Sequence, residues 1–149
     1  MSKSWSLRNK HNLHSINNTK FKSMTVYGAI GSCLHRPFFY YVQKPTNKIH
    51  YKQFILKLKD HIRGDCVKPI LYFDGHPAHK GVDVIELVKQ YFDPFLCVAH
   101  SSNFNSIETV WSVAKRNFRK LMQMQSWAHD VSEATFIDIV KQSIETIKP

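Results

Sequence analysis

Residues 67–99 read VKPILYFDGHPAHKGVDVIELVKQYFDPFLCVA. An apolar run, Val67 to Phe73, ends at Asp74 and is followed by a turn-rich stretch holding Gly75, His76, Pro77 and His79. Apolar residues then recur at helical spacing, at Val82, Ile85, Val88 and Phe92. Asp93-Pro94 interrupts them, and Phe95 to Ala99 form a second short apolar run. A short apolar run bounded by Gly and Pro reads as a buried strand, and a 3.6-residue period reads as a helix, here about 80–92. Strand, helix, strand in succession implies parallel strands joined by a right-handed crossover. Ligands of open α/β sheets bind beyond the carboxyl ends of such strands, which is where Asp74 falls. A buried strand that ends on a carboxylate with two histidines in the next turn is either punctuation, since Asp-Gly starts turns, or one corner of a site.

The flanks extend this pattern. Residues 24–31, MTVYGAIG, read as a strand, and Gly31-Ser32 as a hairpin turn into an aromatic strand over 33–43, with Pro37 at an edge or bulge. Thr46-Asn47 starts a helix whose inner face is Tyr51, Phe54, Ile55, Leu58 and Ile62, ended by Gly64. A third helix carries Ile107, Val110, Trp111, Ala114, Phe118 and Leu121 inward and Lys115, Arg116, Arg119 and Lys120 outward. A fourth, about 130–147, carries Phe136, Val140, Ile144 and Ile147 on one stripe. The fold class is therefore α/β. Residues 1–149 form one domain, with no internal repeat or linker. The polar, basic segment 1–23 is expected to be poorly ordered, with Trp5 as its largest anchor.

The 149 residues suffice for one domain with a real core. A formal net charge of +10 favours polyanions, nucleic acid before acidic membrane. No apolar stretch approaches the roughly 20 residues needed to span a bilayer, and the N-terminus has no apolar signal region. Neither membrane association nor secretion is expected. Cys33, Cys66 and Cys97 are dispersed and form no CxxC pair, so they read as small core residues in a reducing compartment rather than as a disulfide framework or zinc ribbon. His76, His79 and His100 lack zinc-ligand spacing.

A second carboxylate, Glu108, opens the third helix within HSSNFNSIETVW, one strand and one helix after Asp74. Two carboxylates brought together suit Mg²⁺, a hard cation that takes oxygen ligands and serves phosphodiester chemistry. A basic face nearby would hold a phosphate backbone. Other readings compete. Asn105 at N-cap with Glu108 at N3 is a capping-box-like signal, and a carboxylate there suits the helix dipole. The Lys115–Lys120 cluster reads equally as a solvated helix face, and Trp111, on the apolar stripe, as core.

LYFDGHPAHK (71–80) resembles the second-aspartate motif of Tc/mariner-type DNA transposases, a strand ending Asp-Asn-x-x-x-His. Asp74 and His79 match, and Gly75 stands at the Asn position. HSSNFNSIETVWSVAKRNF (100–118) resembles that family's Ser-Pro-Asp-Leu-Asn-Pro-Ile-Glu-x-x-Trp block. Ser101, Asn105, Ile107, Glu108 and Trp111 match, Lys115-Arg116 follow, and Ser102 and Ser106 replace the two prolines. SWSLRNKHN, VYGAI and KPTNKIHYKQFILKL also resemble family segments, so the likeness covers most of the chain.

The resemblance implies an RNase H-like fold, a mixed sheet flanked by helices, with a DDE endonuclease site that cuts and joins DNA in transposition or integration. Asp74 and Glu108 would be its second and third acidic residues, catalytic and metal-binding. His79 would lie near the site, and Mg²⁺, or Mn²⁺ in its place, would be the cofactor. Lys115, Arg116, Arg119 and Lys120 would contact DNA. The family's first aspartate has no counterpart, because residues 1–23 contain no Asp or Glu. The chain is thus expected to be N-terminally truncated and to lack the first, central strand, which also predicts marginal stability or pairing with another chain. Expected partners are DNA and a second copy or a full-length transposase, with no small-molecule substrate. The expected location is nuclear in a eukaryote and cytoplasmic otherwise. A non-catalytic DNA-binding remnant or domesticated module, and an unrelated basic α/β domain, are the alternatives.

Overall fold

The computed structural model describes residues 2–6, 23–43, 47–74, 76–97, 106–125 and 131–147. The elements in chain order are β1 (Ser2–Ser6), β2 (Ser23–Ala29), β3 (Phe38–Val42), α1 (Lys48–Lys59), β4 (Ile70–Phe73), a 3₁₀ turn (Pro77–His79), α2 (Val82–Tyr91), β5 (Asp93–Leu96), α3 (Ile107–Gln125) and α4 (Glu133–Glu145). The mixed α/β class follows. The strands form two sheets, an antiparallel β1-β2-β3 and a parallel pair β4-β5. Among the described residues no ladder joins the two.

β2 organises the core. Successive strand residues point to opposite faces. Met24 and Val26 pack with Trp111, Ala114 and Phe118 of α3 and Phe136, Val140 and Ile144 of α4. Tyr27 packs on the other side with Tyr51, Phe54, Ile55 and Leu58 of α1, Val84 and Val88 of α2, and Phe73 of β4. The inner stripes read for α1, α3 and α4 are thus the buried ones. Asn47 caps α1 by accepting a hydrogen bond from the His50 N–H at 2.8 Å, as its N-cap position requires.

Several expectations change. Ser2–Ser6, inside the segment expected to be poorly ordered, is a strand in register with β2, Trp5 opposite Met24. The rest of that segment lies outside the described residues. The run from Val67 is not a buried strand: Val67, before β4, is 96% exposed, Ile70 is 72% exposed, and of β4 only Phe73 is buried. The cause is a ribbon paired on one edge and covered on one face. α2 turns Val84 and Val88 inward and leaves Val82 75% exposed. Its sequence offers two overlapping apolar stripes, and packing against α1 selects the second. Cys33 and Cys66 form a disulfide, and buried Cys97 takes no part in it. The two come together because the β2–β3 connection folds against the α1–β4 loop, which their spacing in sequence does not reveal. No helix among the described residues is long and apolar enough to cross a membrane.

Candidate functional site

Asp74 leaves the end of β4 partly exposed. Its Oδ1 accepts hydrogen bonds from His79 Nδ1 at 2.7 Å and from the His76 N–H at 3.3 Å. The 3₁₀ turn brings His79 back under the strand end, closed by its N–H to the His76 carbonyl at 2.9 Å. The imidazole is fully buried, with the Tyr51 ring 4.0 Å away and the Phe73 ring edge-on at 6.2 Å. Tyr51 is itself fixed by Tyr27 and Phe54. The aromatic floor under Asp74 therefore comes from α1 and β2.

Electrostatics assign the protons. Burial lowers the His79 pKa, outweighing the Asp74 carboxylate that raises it. Burial also pushes the Asp74 carboxyl up, but the His79 hydrogen bond and the His76 N–H outweigh it and hold the pKa at about 2. At neutral pH the pair is a carboxylate and a neutral imidazole whose Nδ1–H donates. His79 Nε2 then carries a lone pair, and it is buried with no hydrogen-bond partner.

Glu108 sits in the first turn of α3, half-buried. A cavity of about 290 Å³ connects its surroundings to those of Asp74. Phe73, the residue before Asp74, lines it, as do Ser106 and Ile107, the two residues before Glu108. Gly28 to Ile30 of the β2 end and Ile70 to Tyr72 complete much of the wall. The elements bearing the two carboxylates thus border one space. Asn105, Ser101 and His100 lie outside the described residues.

The position of α3 depends on Gly28. A Cβ there would lie 2.8 Å from Trp111 Cζ2, so only glycine allows the indole to sit this close to β2. Trp111 is core, as its stripe position predicts. Lys115, Arg116, Arg119 and Lys120 are all exposed. They make no ion pair among the described residues, whereas Lys48 and Lys52 of α1 share Asp83, at 3.5 and 2.6 Å. With ideal helix geometry, Lys115 and Arg119 point within about 20° of Glu108, and Arg119 lies about 16 Å further along the axis. A cationic track therefore leads along α3 to Glu108.

This donor set suits a magnesium ion held by one or two carboxylates and by substrate phosphates. Asp74 is ionised and partly exposed, and Glu108 supplies a second carboxylate. No group of three His, Cys, Asp or Glu able to hold a metal occurs among the described residues. Sequence reasoning missed the aromatic floor, because Tyr51 reads simply as a core position. It also missed the Gly28–Trp111 contact, although a glycine inside a strand pattern is a signal of close approach.

A family model described as DDE superfamily endonuclease matches residues 2–129. No curated protein matches the chain.

Proposed function

The chain belongs to the DDE superfamily endonucleases, and from that premise we propose that it is a Tc/mariner-like domain for metal-dependent cleavage and transfer of DNA strands. The observation that carries this reading is the shared cavity between the β4 end and the α3 start, lined by Phe73 and Ile107, the residues that precede Asp74 and Glu108, with a basic face on α3 that makes no ion pair among the described residues. An antiparallel three-stranded unit followed by a parallel pair, with helices on both sides, is compatible with an RNase H-like sheet.

In this reading Asp74 and Glu108 hold Mg²⁺. The bound metal supplies activation of a water or 3′-hydroxyl and stabilisation of the leaving oxygen. His79 donates Nδ1–H to Asp74 Oδ1, which orients the carboxylate. Lys115 and Arg119 neutralise backbone phosphates in line with Glu108, and Arg116 and Lys120 widen that contact. Tyr51 and Phe73 exclude water from beneath the dyad. A third acidic residue would complete the family's set.

The test is nicking of supercoiled DNA with Mg²⁺ or Mn²⁺, alongside binding. Nicking that is lost in Asp74→Asn and Glu108→Gln, with affinity retained, supports the reading. Salt-sensitive binding with no metal-dependent nicking defeats it and leaves a non-catalytic DNA-binding module. Absence of binding at low salt defeats both.

A further inference from the structure

Cys33 and Cys66 lie in two different connections. Cys33 is in the turn between β2 and β3, and Cys66 is in the loop between α1 and β4. Their Cα atoms are 5.8 Å apart, inside the range a disulfide needs. Backbone contacts besides the sulfurs tie the two connections together. The Arg63 N–H donates to the Cys33 carbonyl at 2.9 Å and the Cys66 N–H to the Arg63 carbonyl at 3.0 Å. Arg63 Nη1 reaches the Ser32 carbonyl at 3.3 Å, and Leu34 and Ile62 form a β-bridge. The thiols of a reduced chain would thus already face each other. Both cysteines are only half-buried, so a small oxidant has access, unlike buried Cys97.

The position gives the bond a consequence. Among the described residues no strand ladder joins the β1–β3 sheet to the β4–β5 pair. Cys33 follows the β2 end and Cys66 precedes β4, and those two segments, Gly28 to Ile30 and Ile70 to Phe73, face each other across the cavity. The disulfide is a covalent tie between two sheets that share no ladder among the described residues.

We propose that Cys33 and Cys66 are a redox-responsive clasp that sets how firmly β4 is held against the β2 end. In a reducing compartment the pair is a dithiol. Oxidation runs by exchange with a small-molecule disulfide such as oxidised glutathione. One protein thiolate attacks it and expels one glutathione thiolate, leaving a mixed disulfide. The second protein thiolate then displaces the other glutathione. Two protein thiols are oxidised, one glutathione disulfide is reduced, and the two thiol protons end on the two glutathiones. The clasp stands independently of the nuclease reading.

The test uses the full chain in glutathione buffers of increasing oxidised fraction, followed by alkylation, non-reducing peptide mapping, thermal melts and amide exchange. The expected result is an intramolecular Cys33–Cys66 link as the predominant one, a Tm about 10 °C higher than in the reduced chain, and slower exchange at Ile70–Phe73. Cys97→Ser keeps this redox shift, whereas Cys33→Ser and Cys66→Ser abolish it. Should a serine variant fail to fold, the oxidised-versus-reduced wild-type comparison still decides. Links through Cys97, intermolecular links only, or a Cys33–Cys66 link that moves neither Tm nor exchange would each overturn the proposal.

Discussion

α1 and α3 are both basic amphipathic helices, and they are built into opposite faces of the same sheet in the same way. Each buries four residues, Tyr51, Phe54, Ile55 and Leu58 in one and Ile107, Trp111, Ala114 and Phe118 in the other. They differ outward. The cations of α1 are largely spent inside the molecule: Lys48 and Lys52 on Asp83, Lys59 on Asp60, and Lys57 over the Tyr40 ring. The four of α3 are spent on nothing described. The lesson is that basic composition alone does not identify a polyanion surface, and that the four α3 cations, unpaired among the described residues, are the ones to test.

The largest test of this contrast is charge removal. Replacing Lys115, Arg116, Arg119 and Lys120 by Gln is expected to lower DNA affinity by up to about three orders of magnitude near 0.1 M salt and the salt slope by about 3 to 4. Gln at Lys48, Lys52 and Lys59 should leave the slope within about one of wild type. Equal losses by fluorescence anisotropy would erase the distinction between the helices.

Next in size is the likeness of their inner faces. Trp111→Ala and Phe54→Ala should each cost about 3–5 kcal/mol in denaturant unfolding, a cavity in either core layer. A cost under about 1 kcal/mol at one site would mean that the two layers are not equivalent. Smaller is Gly28→Ala, expected to cost about 1–3 kcal/mol by overpacking against Trp111, with no counterpart on the α1 side.

The smallest effect is a pH dependence. His79, beneath α1, has a lowered pKa in the fold, so the unfolded chain binds a proton that the native one refuses. Stability should therefore rise with pH up to the ordinary histidine range near 6.5 and fall as pH drops below it. Asp74, held at about 2, adds stability above the ordinary carboxylate range that is lost as pH falls through it. Melts from pH 7.5 to 5 should show the first loss in wild type and a flatter profile in His79→Gln. A wild-type Tm that climbs on acidification would mean that the buried imidazole is charged.

Legibility in the sequence tracked how local the cause was. The stripes of α1, α3 and α4, the Asn47 cap and the position of Asp74 at a strand end follow from spacing and side-chain chemistry within a few residues. β1 escaped because Ser-Lys-Ser-Trp-Ser has no apolar face to announce it, and its pairing comes from β2. The exposure of Ile70 and the inward turn of Val84 depend on which neighbours are present, which local periodicity does not encode. The same holds for Cys33 and Cys66. At the candidate site, the Asp74–His79 pairing was legible as a motif spacing, but the burial that keeps His79 neutral comes from Tyr51 on a distant helix.

Gly28 has a wider consequence. Trp111 is one helical turn beyond Glu108, on the same rigid helix. The indole's seat on β2 therefore works as a mechanical stop that sets how deep the start of α3 rides, and with it where Glu108 sits. A single added methyl at residue 28, in the middle of a strand and carrying no charge or lone pair, would be transmitted as a displacement of that carboxylate. The alignment of the candidate site is thus gauged by a missing side chain on a strand that bears none of its ligands.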